Sequence, residues 1–131
     1  MADASYPDDL LYHPEHDWAR VSDDGTATFG ITWFAQDALG ELVHFEAPEA
    51  GSRVTKDEAY AEVESVKAVS DVIAPLSGEI VEVNPAVAAA PETVNDDPYG
   101  DGWLIRIRMS DPSELNALMD AAAYRAHVAE Q

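Results

Sequence analysis

Lys67 is the residue best placed to do covalent chemistry in this chain, because it stands alone between two short runs that each read as a β-strand. Upstream, Ala59, Ala61 and Val63 alternate with Tyr60, Glu62 and Glu64, the period-two pattern of a strand with one buried face. Downstream, Ala68 to Ile73 is short and β-branched, and it stops at Ala74-Pro75, where proline cannot continue a central strand. The two runs form a hairpin over about residues 59 to 73 with the lysine at its tip. The chemistry on offer is that of a primary amine on a long flexible stem, which amidation strips of its charge. The chain holds only one other lysine, Lys56, so this ammonium is no part of a general basic surface.

Other reactive combinations are missing from the sequence. It has no cysteine, which excludes disulfides and thiol catalysis by the protein itself. No His/Cys/Asp spacing supports a metal site, and no nucleophile–base pair points to an independent enzyme. His16 reads as a packed or capping histidine, and the exposed lysine of an ordinary hairpin commonly serves only solubility. The meaning of Lys67 therefore depends on what surrounds it.

The preceding elements are legible from their turn chemistry. Residues 1–9 read as a flexible arm, and residues 10–131 as a single domain. Asp17 to Val21 alternates, with Trp18 and Arg20 on one face and Ala19 and Val21 on the other. Ser22-Asp23-Asp24-Gly25 supplies a tight turn, and Thr26 to Ile31 returns with Ala27, Phe29 and Ile31 on one side. Thr32 can cap a short helix over residues 33–39 with Phe34 and Ala38 on its buried face, and Gly40 can end it in the left-handed conformation. A strand over Glu41 to Glu46 closes at Pro48, and a short extended piece is expected at Arg53 to Thr55.

Beyond the hairpin, Glu79 to Val83 alternates again, with Val81 and Val83 opposing Ile80 and Glu82. Residues 84–102 are rich in proline, glycine and acids and predict a long irregular excursion with one or two helical turns, of the kind that carries function. Trp103 to Met109 predicts a last strand with Trp103, Ile105, Ile107 and Met109 inward. Asp111-Pro112-Ser113 starts a C-terminal helix, or a broken pair of helices, with Leu115, Leu118, Met119 and Ala122 as its apolar stripe. Many short strands with helical additions indicate a mainly β barrel or sandwich.

Composition narrows the partners. The 131 residues carry 26 acidic against 7 basic side chains, a formal net charge of −19. Such a polyanion is repelled by nucleic-acid phosphates and by anionic membranes, and self-repulsion favours a monomer. The acidity serves solubility and salt adaptation, or it steers basic partner enzymes. The first nine residues lack the apolar core of a signal peptide and the arginines of a transit peptide, which points to the cytoplasm.

Gly51, Lys67 and then Ala74-Pro75-Leu76-Ser77-Gly78-Glu79-Ile80 form a skeleton that resembles the biotinyl/lipoyl carriers. Biotin carriers flank the lysine with methionines, whereas this chain has Val66 and Ala68. Four motifs in order resemble the H protein of the glycine cleavage system: His16-Asp17-Trp18, Gly30-Ile31-Thr32 with Ala35-Gln36-Asp37-Ala38-Leu39-Gly40, Glu64-Ser65-Val66-Lys67-Ala68, and Pro98-Tyr99-Gly100-Asp101-Gly102-Trp103-Leu104.

The resemblance implies a hybrid barrel-sandwich with lipoate in amide linkage to Lys67, in a protein that is not itself an enzyme. It further implies that the arm accepts an aminomethyl group from a pyridoxal-phosphate glycine decarboxylase, the P protein. The arm then delivers it to a tetrahydrofolate-dependent aminomethyltransferase, the T protein, and is reoxidised by dihydrolipoyl dehydrogenase, the L protein. By the same likeness, Glu64 is read by the lipoylating enzymes, and Asp17 and Asp71 line a surface cleft where the loaded arm docks. Asp17 stands where the family commonly has glutamate, and Trp33 where it has aspartate. A related H-like protein that relays lipoyl groups, or an unmodified interaction module of the same fold, are the alternative readings.

Overall fold

The Asp24-Gly25 turn folds β2 (Asp17–Val21) back onto β3 (Thr26–Ile31), in a register running from Val21 opposite Ala27 to Asp17 opposite Ile31. The structure is a computed structural model and describes residues 6–130. Around this hairpin lie β1 (Leu11–His13), β4 (Leu42–Glu46), β5 (Arg53–Val54), β6 (Ala59–Ser65), β7 (Val69–Ile73), β8 (Gly78–Val83) and β9 (Ile105–Met109). They form two antiparallel sheets, one of six strands in the order β1-β2-β3-β9-β8-β5 and one of three in the order β4-β6-β7. The fold is mainly β, with two sheets face to face rather than a closed barrel, as the hybrid barrel-sandwich expectation requires.

The alternation along β2 separates two cores. Ala19 points between the sheets, joining Phe29, Ile31, Val63, Val72, Ile105 and Ile107. Trp18 points the other way and packs with Leu10, Tyr12, Ala121 and Tyr124. The second core is possible because Gly30, paired with Trp18 across the strands, leaves room for the indole. A Cβ on Gly30 would come within 2.5 Å of the ring.

Helix α1 (Trp33–Leu39) has the expected bounds because Thr32 caps it, its hydroxyl accepting from the Ala35 N–H at 3.3 Å. Its buried face is different: Gln36 is buried, Ala35 and Leu39 pack on the main core, and Ala38 faces solvent. Phe34 instead lies against the His16 ring, with centroids 4.4 Å apart. Gly40 ends the helix at φ +84° and ψ −166°, outside the left-handed helical well and in a region that only glycine enters easily.

Two β-bulges redirect side chains that strict alternation sends elsewhere. A register shift between Ala59 and Ala61 turns Tyr60 inward against Phe29. Another between Ile80 and Glu82 leaves Val81 exposed, while Ile80 and Val83 both pack on the core. The last strand begins at Ile105 rather than Trp103, and Leu104 is fully buried in the main core while Trp103 packs in the second.

The excursion over 84–102 holds two short helices, α2 (Pro85–Ala89) and α3 (Thr93–Asp96). The C-terminal region is the broken pair: a 3-10 helix over Pro112–Ala117, then α4 (Ala121–Ala129). The break comes at Met119, whose backbone pairs with Tyr12 at 2.8 Å in both directions. That break rotates the apolar stripe, so α4 buries Ala121 and Tyr124 and exposes Ala122. Of the arm expected over 1–9, residues 1–5 lie outside the described residues. Tyr6 and Pro7 are anchored: Tyr6 stands edge-on to Tyr124 at 5.2 Å, and the Tyr12 hydroxyl donates to the Pro7 carbonyl at 2.7 Å.

Because the indole lies directly on Gly30, Gly30→Ala is expected to destabilise the protein by about 1–3 kcal/mol through overpacking. Urea unfolding monitored by tryptophan fluorescence checks this.

Candidate functional site

Between β6 and β7 the chain turns through Val66, Lys67 and Ala68, and the turn is organised from below by Ser65. The Ser65 hydroxyl accepts from the Lys67 N–H at 3.3 Å and the Ala68 N–H at 3.1 Å, while its own N–H donates to the Ala68 carbonyl at 2.8 Å. Ser65 is only 5% exposed and pairs with Leu42 on β4, so the turn is anchored to the sheet. Val66 is 85% exposed and Lys67 projects into solvent beside it. The fold thus delivers the isolated primary amine that the strand pattern predicts.

The stem of Lys67 lies against the end of α1. A Cβ on Gly40 would sit 3.4 Å from Lys67 Cε and 3.9 Å from Nζ. Gly40 is fixed by Asn95 of α3, whose amide donates to the Gly40 carbonyl at 2.9 Å and to Gln36 Oε1 at 3.0 Å. Asn95 Oδ1 accepts from the Leu42 N–H at 2.8 Å, so one side chain ties α1, α3 and the start of β4 together. Beside these groups opens a cleft of about 440 Å³ whose walls include Asp37, Glu41, Glu92 and Asp96. Neither the Asn95 clamp nor this cleft was singled out by the sequence; the partners of Asn95 lie more than 50 positions away.

The expected carboxylates are distributed differently from the single cleft that the resemblance implies. Asp17 is 2% exposed and faces the space between the sheets. It accepts a hydrogen bond from the Ile73 backbone of β7, and its Oδ2 has no hydrogen-bond partner. The bulge-inverted Tyr60 hydroxyl, also buried without a partner, contributes to the same electrostatic environment. Burial holds the Asp17 carboxyl well above its ordinary value, with nearby Glu15 pushing the same way, and it holds the Tyr60 phenol up as well. Asp71, by contrast, is exposed on β7, and Glu64 is exposed on β6. Asp17 therefore presents no carboxylate to an arm at the surface, because its strand points it into the core side of the sheet.

The other motif residues form the support. Trp18 Nε1 donates to the Pro98 carbonyl at 3.0 Å, and Arg20 Nη2 to the Tyr99 carbonyl at 3.0 Å. The Tyr99 hydroxyl accepts from the Trp33 N–H at 2.9 Å, which holds the first turn of α1. His16 Nδ1 and Thr32 Oγ1 each lie 2.7 Å from the Tyr124 hydroxyl, the packed role expected of His16. Trp33 itself is half-buried. Among the described residues no group of three or more His, Cys, Asp or Glu could hold a metal ion. No described helix is long and apolar enough to cross a membrane.

With this geometry in hand, the chain matches known proteins along nearly its whole length. A family model described as Glycine cleavage H-protein covers residues 10–131. The Glycine cleavage system H protein of Halorhodospira halophila is 56% identical over 125 residues, spanning 95% of this chain and 96% of that protein. The one from Anaeromyxobacter sp. (strain K) is 53% identical over 125 residues, spanning 95% and 97%. A crystal structure of a glycine cleavage system H protein from Mycobacterium marinum aligns with a TM-score of 0.88 at 41% identity, covering 95% of this chain and 99% of that one.

Two outcomes follow from the site. Ser65→Ala removes the acceptor for two backbone donors, so it is expected to cost about 1 kcal/mol and to speed hydrogen exchange at Lys67 and Ala68 selectively. For Asp17, the folded chain binds the proton more tightly than an unfolded chain with the ordinary value of 3.8. Its favourable contribution is complete below that value and is lost as pH rises from there through the raised folded-state value. Asp17→Asn, neutral at every pH, is expected to be more stable than the parent near pH 7 by about 1–3 kcal/mol and to lack this decline. Urea midpoints measured from pH 4 to 8 check both statements.

Proposed function

As the chain belongs to the glycine cleavage H-protein family and is a lipoyl carrier without catalytic activity of its own, we propose that Lys67 bears its lipoate in amide linkage. The observation that carries this is the isolated lysine projecting from a turn whose backbone donors are held by Ser65. The Lys67 side chain is exposed, and the flanking Val66 and Ala68 leave it open to an acylating enzyme. Glu64, exposed three positions before it, is the carboxylate that the lipoylating enzyme reads.

The carrier serves three enzymes in the cytoplasm. It takes the aminomethyl group from the glycine decarboxylase to the aminomethyltransferase, and it passes electrons to dihydrolipoyl dehydrogenase. Lipoate supplies the reversible sulfur chemistry, and the protein supplies position and reach. Tethering at Lys67 keeps the group from being lost between active sites and raises its effective concentration at each docked enzyme. The Ser65-held turn limits how far the root of the arm wanders. Asp71, exposed on the hairpin, provides a carboxylate for the protonated amine at the loaded end of the arm.

Peptide mass spectrometry of protein produced with lipoate and its attaching enzymes tests this assignment. The lipoyl increment is expected on the Lys67 peptide alone and is expected to vanish in Lys67→Arg. Absence of the increment under conditions that lipoylate a known acceptor overturns the assignment, and a biotin increment moves the chain to the neighbouring class of carriers.

A further inference from the structure

A lysine at the tip of a hairpin ends in a flexible stem that samples many rotamers in water. The stem of Lys67 has a neighbour that limits this freedom. Its Cε lies 3.4 Å, and its Nζ 3.9 Å, from where a Cβ on Gly40 would stand, so the far end of the side chain runs beside the backbone that ends α1. That backbone stands at φ +84° and ψ −166°, a conformation open to glycine and to few other residues. A support of this kind has to be held in place.

Asn95 holds it. A side-chain amide has a pair of N–H donors and an acceptor oxygen, and all of them are engaged here. The amide donates to the Gly40 carbonyl at 2.9 Å and to Gln36 Oε1 at 3.0 Å, while Oδ1 accepts from the Leu42 N–H at 2.8 Å. The Gly40 N–H in turn donates to the Gln36 carbonyl at 3.0 Å, so both polar groups of the glycine are bonded. Leu42 is the residue opposite Ser65, whose hydroxyl carries the lysine turn. One side chain therefore fixes the backbone beside the stem and the strand that anchors its root.

The electrostatics agree with this placement. The last turn of α1 carries no basic side chain of its own. Lys67, brought from the β6–β7 turn, supplies the cation that the negative end of a helix favours.

We propose that Asn95 is a positioning residue for the acylation of Lys67, acting through Gly40 and Leu42 to narrow the directions that the amine can take before the lipoylating enzyme arrives. This rests on the reading of Lys67 as the lipoyl site. Acylation joins Nζ to the carbonyl carbon of a lipoyl group activated as a mixed anhydride. The ammonium first gives a proton to solvent, and the neutral amine attacks. The bond from the carbonyl carbon to the anhydride oxygen then breaks, its electron pair leaving with that oxygen, and the amine loses a second proton as the amide forms. Asn95 takes no part in these steps. An amine with fewer rotamers to lose is seated by the enzyme at less cost, so the effect falls on KM and leaves kcat nearly unchanged.

The test uses the full chain in its unmodified form. It holds two lysines, Lys56 and Lys67, so isotope labelling of lysine gives one Cε resonance for each. Lys56, paired with Asp57 at 3.0 Å, is the internal reference. In the parent, Lys67 Cε is expected to relax as a more ordered group than the Cε of free lysine in the same buffer. Asn95→Asp keeps an oxygen for the Leu42 N–H and loses both donors. It is expected to free Lys67 Cε, to leave Lys56 unchanged, and to raise KM for enzymatic lipoylation about threefold to tenfold. Asp120→Ala removes the cap of α4, where the carboxylate accepts from the Ala123 N–H at 2.9 Å, and so lowers stability by a separate route. Both readouts are expected to stay parental in that variant. A parental Lys67 Cε as mobile as free lysine overturns the proposal whatever the variants do, and so does Asn95→Asp protein lipoylated with the parental KM. A parent that takes no lipoate under conditions that lipoylate a known acceptor overturns the lipoyl-site reading itself, and the proposal with it.

Discussion

The Ser65 hydroxyl, held in the interior and bonded to the two amides above it, is the contact on which the working end of this protein depends. It acts through register. Ser65 faces inward opposite Leu42, while Glu64 one position earlier faces out opposite His44 and Val69. A slip of one residue between β6 and either neighbour would exchange those faces, burying carboxylates and exposing Leu42 and Val63. The pairing that orients the lysine outward is therefore the same pairing that closes the main core. Carrier function and stability are set by one arrangement of strands.

The second core has a less direct but necessary part. Trp18 packs against Gly30 and ties β2 to Pro98, while Arg20 ties it to Tyr99, whose hydroxyl in turn holds the start of α1. The end of α1 is Gly40, against which the stem of Lys67 rests, and Asn95 holds that end to α3. A chain of packed and hydrogen-bonded groups thus runs from the far side of the large sheet to the lysine. The motif residues here are scaffold: His16 and Thr32 both bond the Tyr124 hydroxyl, Trp18 donates to the Pro98 carbonyl, and the Tyr99 hydroxyl accepts from the Trp33 N–H. Their spacing is specific because several backbone segments must meet around Trp18 and Tyr124 at once.

What was legible in the sequence were the features set by local chemistry. The Asp24-Gly25 turn fixes β3, and the Thr32 cap with Gly40 fixes α1, so both elements have the expected bounds. The lysine hairpin is equally plain, since apolar alternation on one side and proline on the other delimit it. The misread positions are those where a distant partner decides. Tyr60 and Val83 face the wrong way for simple alternation because a bulge is a property of two strands, and neither strand alone announces it. The C-terminal stripe fails at Ala122 because Met119 leaves the helical path to pair with Tyr12. Asp17 looks like a surface acid in an acidic chain, and only the second sheet, closing over it through Ile73, makes it a core group. Asn95 gives no local sign at all, since its amide serves three segments brought together by the fold.

The charge distribution carries a local cost. A formal charge of −19 spread evenly would raise solubility with little cost, because exposed charges beyond a Debye length of about 8 Å are screened at physiological salt. Directly opposed carboxylates within one sheet row are closer than that and are not relieved in this way. The row Glu46–Glu62–Asp71 across β4, β6 and β7 is such a set, and within it the His44 ring reaches Glu46 at 3.1 Å.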